Sequence, residues 1–210
     1  LEGPTPKVMI AALGDQMLKL AGARTDGTIL WCVGAKTIAD HIAPAINDAA
    51  EKAGRPQPSI VCSIPVWVTD DPAPARDFLA QILSVYAELP SYRRMLDIEG
   101  LHGLGELSLV GTEAEVTERI AEIAASGATD FTAVPMGGNP DEIARTREIL
   151  RIVRQPCRPW QHRTYEVSRC VFVQRHQPPT LTPWRSATSA EIRAGQIAPS
   201  RSATPSAPRG

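Results

Sequence analysis

This sequence predicts an α/β fold on a parallel sheet, and three observations carry the prediction. Short apolar runs at residues 7–12, 28–33, 59–68 and 130–135 alternate with stretches of helical period. The first two runs each meet a glycine, Gly14 and Gly34, and break into a helix there, so two strand–glycine–helix corners lie at one end of the sheet. The runs are near-continuously apolar, as parallel strands buried on both faces are. The order β-α-β-α-β-α-(α)-β-α leaves two architectures open: a small doubly wound sheet, or half of an eight-stranded βα barrel.

Each element has its own signal. Residues 7–12 read as a buried strand, and 15–24 as a short helix with Met17, Leu18 and Ala21 on one face. Asp26 and Gly27 make a turn into the second strand, 28–33. A longer helix is predicted over 36–53, where Ile38, Ile42, Ile46 and Ala50 recur every four residues. Gly54 ends it, and Pro56 and Pro58 bar its continuation. The third strand, 59–68, contains Pro65, which argues for a bulge or a strand end. Thr69, Asp70 and Asp71 before Pro72 form a helix start. That helix runs through Phe78, Leu79, Ile82, Leu83 and Tyr86, breaks at Leu89-Pro90 and continues over 92–98. Gly100, Gly103 and Gly105 read as a loop. Thr112 with Glu115 is a capping box for a helix over 113–125 that ends at Gly127. The fourth strand, 130–135, leads into a glycine-rich corner and the last helix, 141–153.

Composition divides the chain. Of the 210 residues, 1–154 carry 14 Lys+Arg against 21 Asp+Glu, a net −7, and 155–210 carry eight Arg against two Glu, a net +6. The second stretch also holds eight prolines and Ser/Thr/Ala/Arg clusters. It reads as a disordered tail behind a domain at 1–154, with one short strand predicted over 165–173. The abrupt change at residue 154 also fits a frameshift. The chain opens on Leu1 in a Leu-Glu-Gly-Pro turn, which reads as a fragment or a processed chain. A net charge of −1 gives no reason to expect a nucleic-acid partner. No run reaches the roughly 18–20 apolar residues of a membrane span, and no signal peptide is visible. Cys32 and Cys62 lie in apolar runs as reduced core thiols, which predicts a cytoplasmic protein. Cys157, His162, Cys170 and His176 are spaced C-x4-H-x7-C-x5-H, which matches no common zinc finger, so no metal is expected.

Several passages carry a resemblance. A-A-L-G-D-Q-M-L-K-L-A-G-A-R-T-D-G-T-I-L-W, then P-V-W-V-T-D-D-P-A-P-A-R, then L-V-G-T-E-A-E-V-T-E-R-I-A-E-I-A-A-S-G-A-T-D-F occur in one order. Together they resemble the C-terminal half of the bacterial luciferase-like oxidoreductases, nearest the coenzyme F420-dependent branch, over residues 4–152. The resemblance implies the C-terminal half of a (βα)8 luciferase-like TIM barrel, with residues 7–12 as its fifth strand. It implies coenzyme F420, or alternatively FMN, bound at the C-terminal mouth of the strands. It also implies hydride transfer between the reduced cofactor and a small organic substrate, with the catalytic side chains in the half barrel not present here. An FMN-dependent monooxygenase is the enzymatic alternative. A truncated, non-catalytic chain that only pairs with other protein, or a homo-oligomer formed through exposed barrel edges, is the other. Relatives commonly carry Pro where Asp15 stands, and an aspartate beside a phosphate-binding helix start repels an anion unless it points away.

Three corners supply the candidate cofactor-binding residues. At Ala12, Leu13 and Gly14, backbone N–H groups at a helix start could hold a phosphate, or Gly14 could merely permit a tight turn. At Cys32, Val33, Gly34, Lys36 and Thr37, Gly34 allows close backbone approach. Thr37 offers a hydroxyl there, and Lys36 a cation for the anionic tail of F420. Gly34 is expected to carry the larger share of cofactor contact. At Gly137 and Gly138, barrel loops of this position often bind phosphate, but Asn139 as helix cap with Pro140 behind it is the simpler account, since nothing local sharpens the general barrel rule. His41 is expected on the surface, and His102 in the glycine loop. The pairs Asp70-Asp71 and Asp141-Glu142 open helices and are explained by the helix dipole.

Overall fold

The computed structural model describes residues 6–153 and the backbone of Phe172–Val173. The chain divides after Gln174, and all described residues belong to the first unit.

The elements follow in the order β1 (Met9–Ile10), α1 (Asp15–Arg24), β2 (Gly27–Trp31), α2 (Ala35–Thr37), α3 (Ala43–Lys52) and β3 (Ser59–Val68). Then come α4 (Pro72–Ile82), α5 (Ser84–Glu88), α6 (Pro90–Glu99), α7 (Leu104–Leu107), β4 (Leu109–Gly111), α8 (Glu113–Ala125), β5 (Asp130–Pro135), α9 (Pro140–Val153) and β6 (Phe172–Val173). The sheet is parallel throughout, in the order β1-β2-β3-β5-β6, with β4 on the flank of β3. The strand order never reverses, so there is no switch point of the doubly wound kind; the sheet is the arc of a βα barrel.

Register explains which face is core. Leu30, Cys62 and Phe131 stand in one row across β2, β3 and β5, with Ile64 and Ala133 in the next such row of β3 and β5. This face lies under the helices, and most of it is fully buried with Leu18, Ile38, Ile42, Ile46, Ile120 and Leu150. The alternate rows, Ile29 with Val61 and Asp130, then Trp31 with Ser63 and Thr132, form the opposite, concave face. Among the described residues Trp31 meets the Tyr86 ring of α5 edge-on, and Ile29 is 45% exposed.

Four local expectations are corrected. The 36–53 helix is interrupted: Ile38–Ile42 is a π turn in which the Ala43 N–H reaches back five residues to the Ile38 carbonyl. Pro44 is the cause, since it has no N–H for the Asp40 carbonyl and its ring crowds that carbonyl. The glycine loop after residue 100 contains a helical turn, α7, and the segment before Thr112 forms β4 on the edge of β3. β1 is shorter than the apolar run at 7–12. Pro65 makes neither a bulge nor an end. Ser63 bonds on the β2 side, and Ile60 and Val66 bond on the β5 side, so the Pro65 nitrogen faces the β2 flank. There β2 has ended opposite Ser63 and β4 begins only at Val66, so no ladder bond is lost.

Other signals hold. Thr112 and Glu115 form a reciprocal capping box on α8. Leu89 separates α5 from α6, and Pro90 opens α6. Of the strand predicted at 165–173, Phe172 and Val173 pair in parallel with β5, and the remainder lies outside the described residues. The pattern of Cys157, His162, Cys170 and His176 also lies outside them.

Candidate functional site

The first corner joins β1 to α1. Gly14 is extended, at φ −87° and ψ 154°, a conformation open to any residue. A Cβ placed there would meet nothing within 4 Å. Neither turn geometry nor packing therefore requires a glycine; what its absent side chain leaves is open space above the backbone. α1 has no side-chain cap, so the N–H groups of Asp15, Gln16 and Met17 have no partner in the helix, and all three residues are exposed. Asp15 does not stand alone. Its Oδ1 lies 3.6 Å from an Arg94 guanidinium nitrogen and 3.7 Å from His41 Nε2. The first of these offsets the repulsion that an acidic residue would exert on an anion.

His41 is a correction. It is not a surface histidine: its side chain is 13% exposed, and Nε2 lies 3.0 Å from the Leu13 carbonyl. A carbonyl oxygen only accepts, so Nε2 carries the hydrogen of that bond.

The second corner joins β2 to α2. Cys32 holds φ +49°, the one non-glycine in the left-handed region among the described residues. Gly34 is extended at φ −88°. Its missing side chain is filled from elsewhere, since a Cβ there would collide with the Glu99 carboxylate. Glu99, the last residue of α6, accepts the Thr37 N–H at 2.6 Å, and the Thr37 hydroxyl donates to the Met95 carbonyl at 3.3 Å. An anion of this chain therefore already sits at the start of α2. Lys36 is exposed beside it. Gly34, Glu99, Leu109 and Arg119 also border a cavity of about 70 Å³. Burial pushes the Cys62 thiol up to about 12 and raises Cys32 further, so neither is a thiolate near neutral pH.

The third corner is closed in the same manner. The Gly138 N–H donates to Glu142 Oε2 at 2.8 Å, and the Glu142 N–H donates to Asn139 Oδ1 at 2.9 Å, which makes Asn139 the cap that the sequence predicts. Glu142 also accepts from Thr69 Oγ1 at 2.8 Å and Trp67 Nε1 at 3.0 Å. The Thr69 hydroxyl foremost, then the Gly138 N–H, holds its carboxyl below the usual range. A Cβ on Gly137 would strike Ile143, so that glycine serves close packing. Beside this corner Arg145 binds Asp70 at 2.9 Å and Glu113 at 2.9 Å, and so ties α9 to the β3–α4 turn and to α8.

The corners thus differ in a way the sequence does not display. The Thr37 and Gly138 N–H groups bond carboxylates of this chain, Glu99 and Glu142, and among the described residues no carboxylate takes an N–H group at the start of α1. Glu142 had a local signal, Asn139-x-x-Glu142, the spacing of a capping box. Glu99 and His41 had none, because each reaches its corner from 62 and 28 residues away. His102 is exposed, its N–H bonded to Glu106. No cluster of metal-ligating side chains occurs among the described residues, and no described helix is long and apolar enough to cross a membrane.

Comparison with known proteins gives the lineage. The sequence model of the luciferase-like monooxygenase family matches residues 1–130. An F420-dependent secondary alcohol dehydrogenase, solved with an F420-acetone adduct, superposes with a TM-score of 0.55 at 18% identity, over 72% of this chain and 50% of its own. The oxygenating constituent of 3,6-diketocamphane monooxygenase from Pseudomonas putida, solved with FMN, gives 0.51 at 17% identity, over 69% and 47%. EDTA monooxygenase from Chelativorans sp. BNC1 gives 0.50 at 18% identity, over 71% and 44%. The likeness to these three is one of fold, and the chain spans about half of their length. No curated protein matches it. With the family's model matched over 130 of 210 residues, onto parallel βα units in barrel order, the chain belongs to the luciferase-like monooxygenase family.

Proposed function

We propose that this chain carries the cofactor-anchoring half of an F420-dependent oxidoreductase, with the anionic part of the cofactor held at the Ala12-Leu13-Gly14 corner. One observation carries the reading: Gly14 is needed neither for its backbone angles nor for packing, and it stands before a helix start with three free N–H groups. A glycine that nothing among the described residues requires is accounted for by a ligand that approaches its backbone. Arg94 adds a cation beside the corner, and Lys36 a second on the neighbouring one, as suits a phosphate followed by a polyglutamate tail. Cys32, Val33, Gly34 and Thr37 back this site as buried support, with Gly34 and Thr37 taken up by Glu99, and Gly137 and Gly138 form its rim.

When bound, the deazaflavin supplies the hydride chemistry, and the substrate is a small organic acceptor. This chain's residues bind and orient. On this side the concave rows would offer the ring Ile29 and Val61, with Trp31, packed edge-on against Tyr86, at the end of β2. The side chains that would act on the substrate belong to the other half of the barrel.

Titrating the 210-residue chain with F420 and, separately, with FMN tests the reading. Micromolar binding of F420 and none of FMN is expected. Binding of FMN alone would assign the flavin branch, and binding of neither would refute an anchoring role for this chain.

A further inference from the structure

We propose that His41 is a positioning residue for the first corner, holding the Leu13–Gly14 peptide from the helix that follows the second. The inference rests on the reading of the Gly14 corner as a cofactor cradle.

The argument begins with Pro44. By forcing the π turn at Ile38–Ile42, it interrupts the regular helix where His41 stands. From this turn the imidazole crosses to α1's entry loop, where Nε2–H donates to the Leu13 carbonyl at 3.0 Å. A trans peptide is planar, with C=O and N–H opposed, so anchoring the Leu13 carbonyl also fixes the direction of the Gly14 N–H. That N–H adjoins the free donors of Asp15, Gln16 and Met17. The groups facing the imidazole are few: the Leu13 carbonyl, and Asp15 at 3.7 Å with Arg94 beyond it. His41 thus borders both the backbone donors of the corner and the one carboxylate that could spoil it.

The second corner supports this arrangement. Glu99 clasps the Thr37 N–H, four residues before His41, and so fixes the base of the turn that carries the imidazole. The corner at Gly34 serves the corner at Gly14 through His41. A glycine there is needed because the Glu99 carboxylate occupies the space of a Cβ.

Two variants of the full chain separate positioning from bulk. His41→Phe keeps ring volume and removes the donor; His41→Gln keeps an N–H of similar reach. For His41→Phe, F420 affinity is expected to fall about fivefold to tenfold, the worth of one positioning hydrogen bond. For His41→Gln it should return to within about twofold of the parent. In the chain without cofactor, amide exchange at Leu18, whose N–H bonds the Gly14 carbonyl at 2.9 Å, should speed in His41→Phe and be restored in His41→Gln. Unchanged affinity in a folded His41→Phe would overturn the proposal. So would an affinity loss that His41→Gln shares in full. If the parent chain binds no F420, the functional reading fails, and the exchange measurement still decides on His41: equal protection of the Leu18 amide in all three proteins would refute it.

Discussion

At the scale of single residues, the two corner glycines look alike in sequence and differ in the reason for their lack of a side chain. Gly34→Ala drives a methyl into the Glu99 carboxylate, so it is expected to destabilise by about 1–2 kcal/mol, a drop in Tm of several degrees. Since Gly34 has an ordinary φ, that cost comes from the collision alone. It should shrink in a Glu99→Ala background, and a double-mutant cycle with no coupling would remove Glu99 from the account. Gly14→Ala meets open space and permitted angles, so its stability should stay within about 0.5 kcal/mol of the parent's. Its F420 affinity should nevertheless fall, because the methyl covers the backbone donors. A stable Gly14→Ala chain with unchanged affinity would move the cofactor away from this corner. The pattern of apolar runs and glycines made both corners visible. Which of them was free was not legible, because the carboxylate that fills one comes from a helix far along the chain.

At the scale of elements, the helix starts were the most legible features, since caps are local chemistry. Thr112 with Glu115, Asn139 with Pro140, and Pro90 all stand where the sequence places them. The π turn before Pro44 and the short β4 were missed. A four-residue apolar period is nearly the same for α and π turns, and three residues on a strand flank carry no period at all. The tethering of α9 is electrostatic and has a pH signature. Glu142, Glu113 and Asp70 are all held below their ordinary values of 4.5, 4.5 and 3.8, chiefly by the Thr69 hydroxyl for the first and by Arg145 for the other two. Because these carboxyls bind protons more weakly folded than unfolded, their contribution is complete above about pH 5. It is lost as the pH falls through and below the ordinary carboxylate range. Asp70 is well exposed and screened, so its share is small. The urea midpoint is therefore expected to be flat near neutrality and to fall in acid. Arg145→Met should flatten the acid limb in part, leaving the portion due to Glu142. Identical acid limbs in the two proteins would show that this network does not couple folding to pH.

At the scale of the whole molecule, a sheet that a full barrel would close on itself here remains an arc. Sequence predicts this from the resemblance alone, and the strand order bears it out: β1, β2, β3 and β5 lie side by side in chain order. The concave rows of Ile29, Trp31 and Val61 are what a barrel interior would pack against the opposite wall. Among the described residues no opposite wall of strands exists, though Tyr86 of α5 packs edge-on against Trp31, and the outer edge of β1 pairs with nothing. Apolar side chains and strand edges left open in this way bind hydrophobic dyes and draw chains together. The isolated chain is therefore expected to bind such a dye in its native state and to sediment with a weight that rises with concentration. Ile29→Lys tests where this property resides. Its side chain is 45% exposed at the centre of the concave face and outside the helix-covered core, so a charge there should leave Tm nearly unchanged. Dye binding and self-association should both drop. Val85→Lys, on the separately exposed stripe of α5, should change them less if the concave face is the cause. If Val85→Lys abolishes association and Ile29→Lys does not, the helix stripe is the adhesive surface, and the open barrel wall is covered by the chain itself.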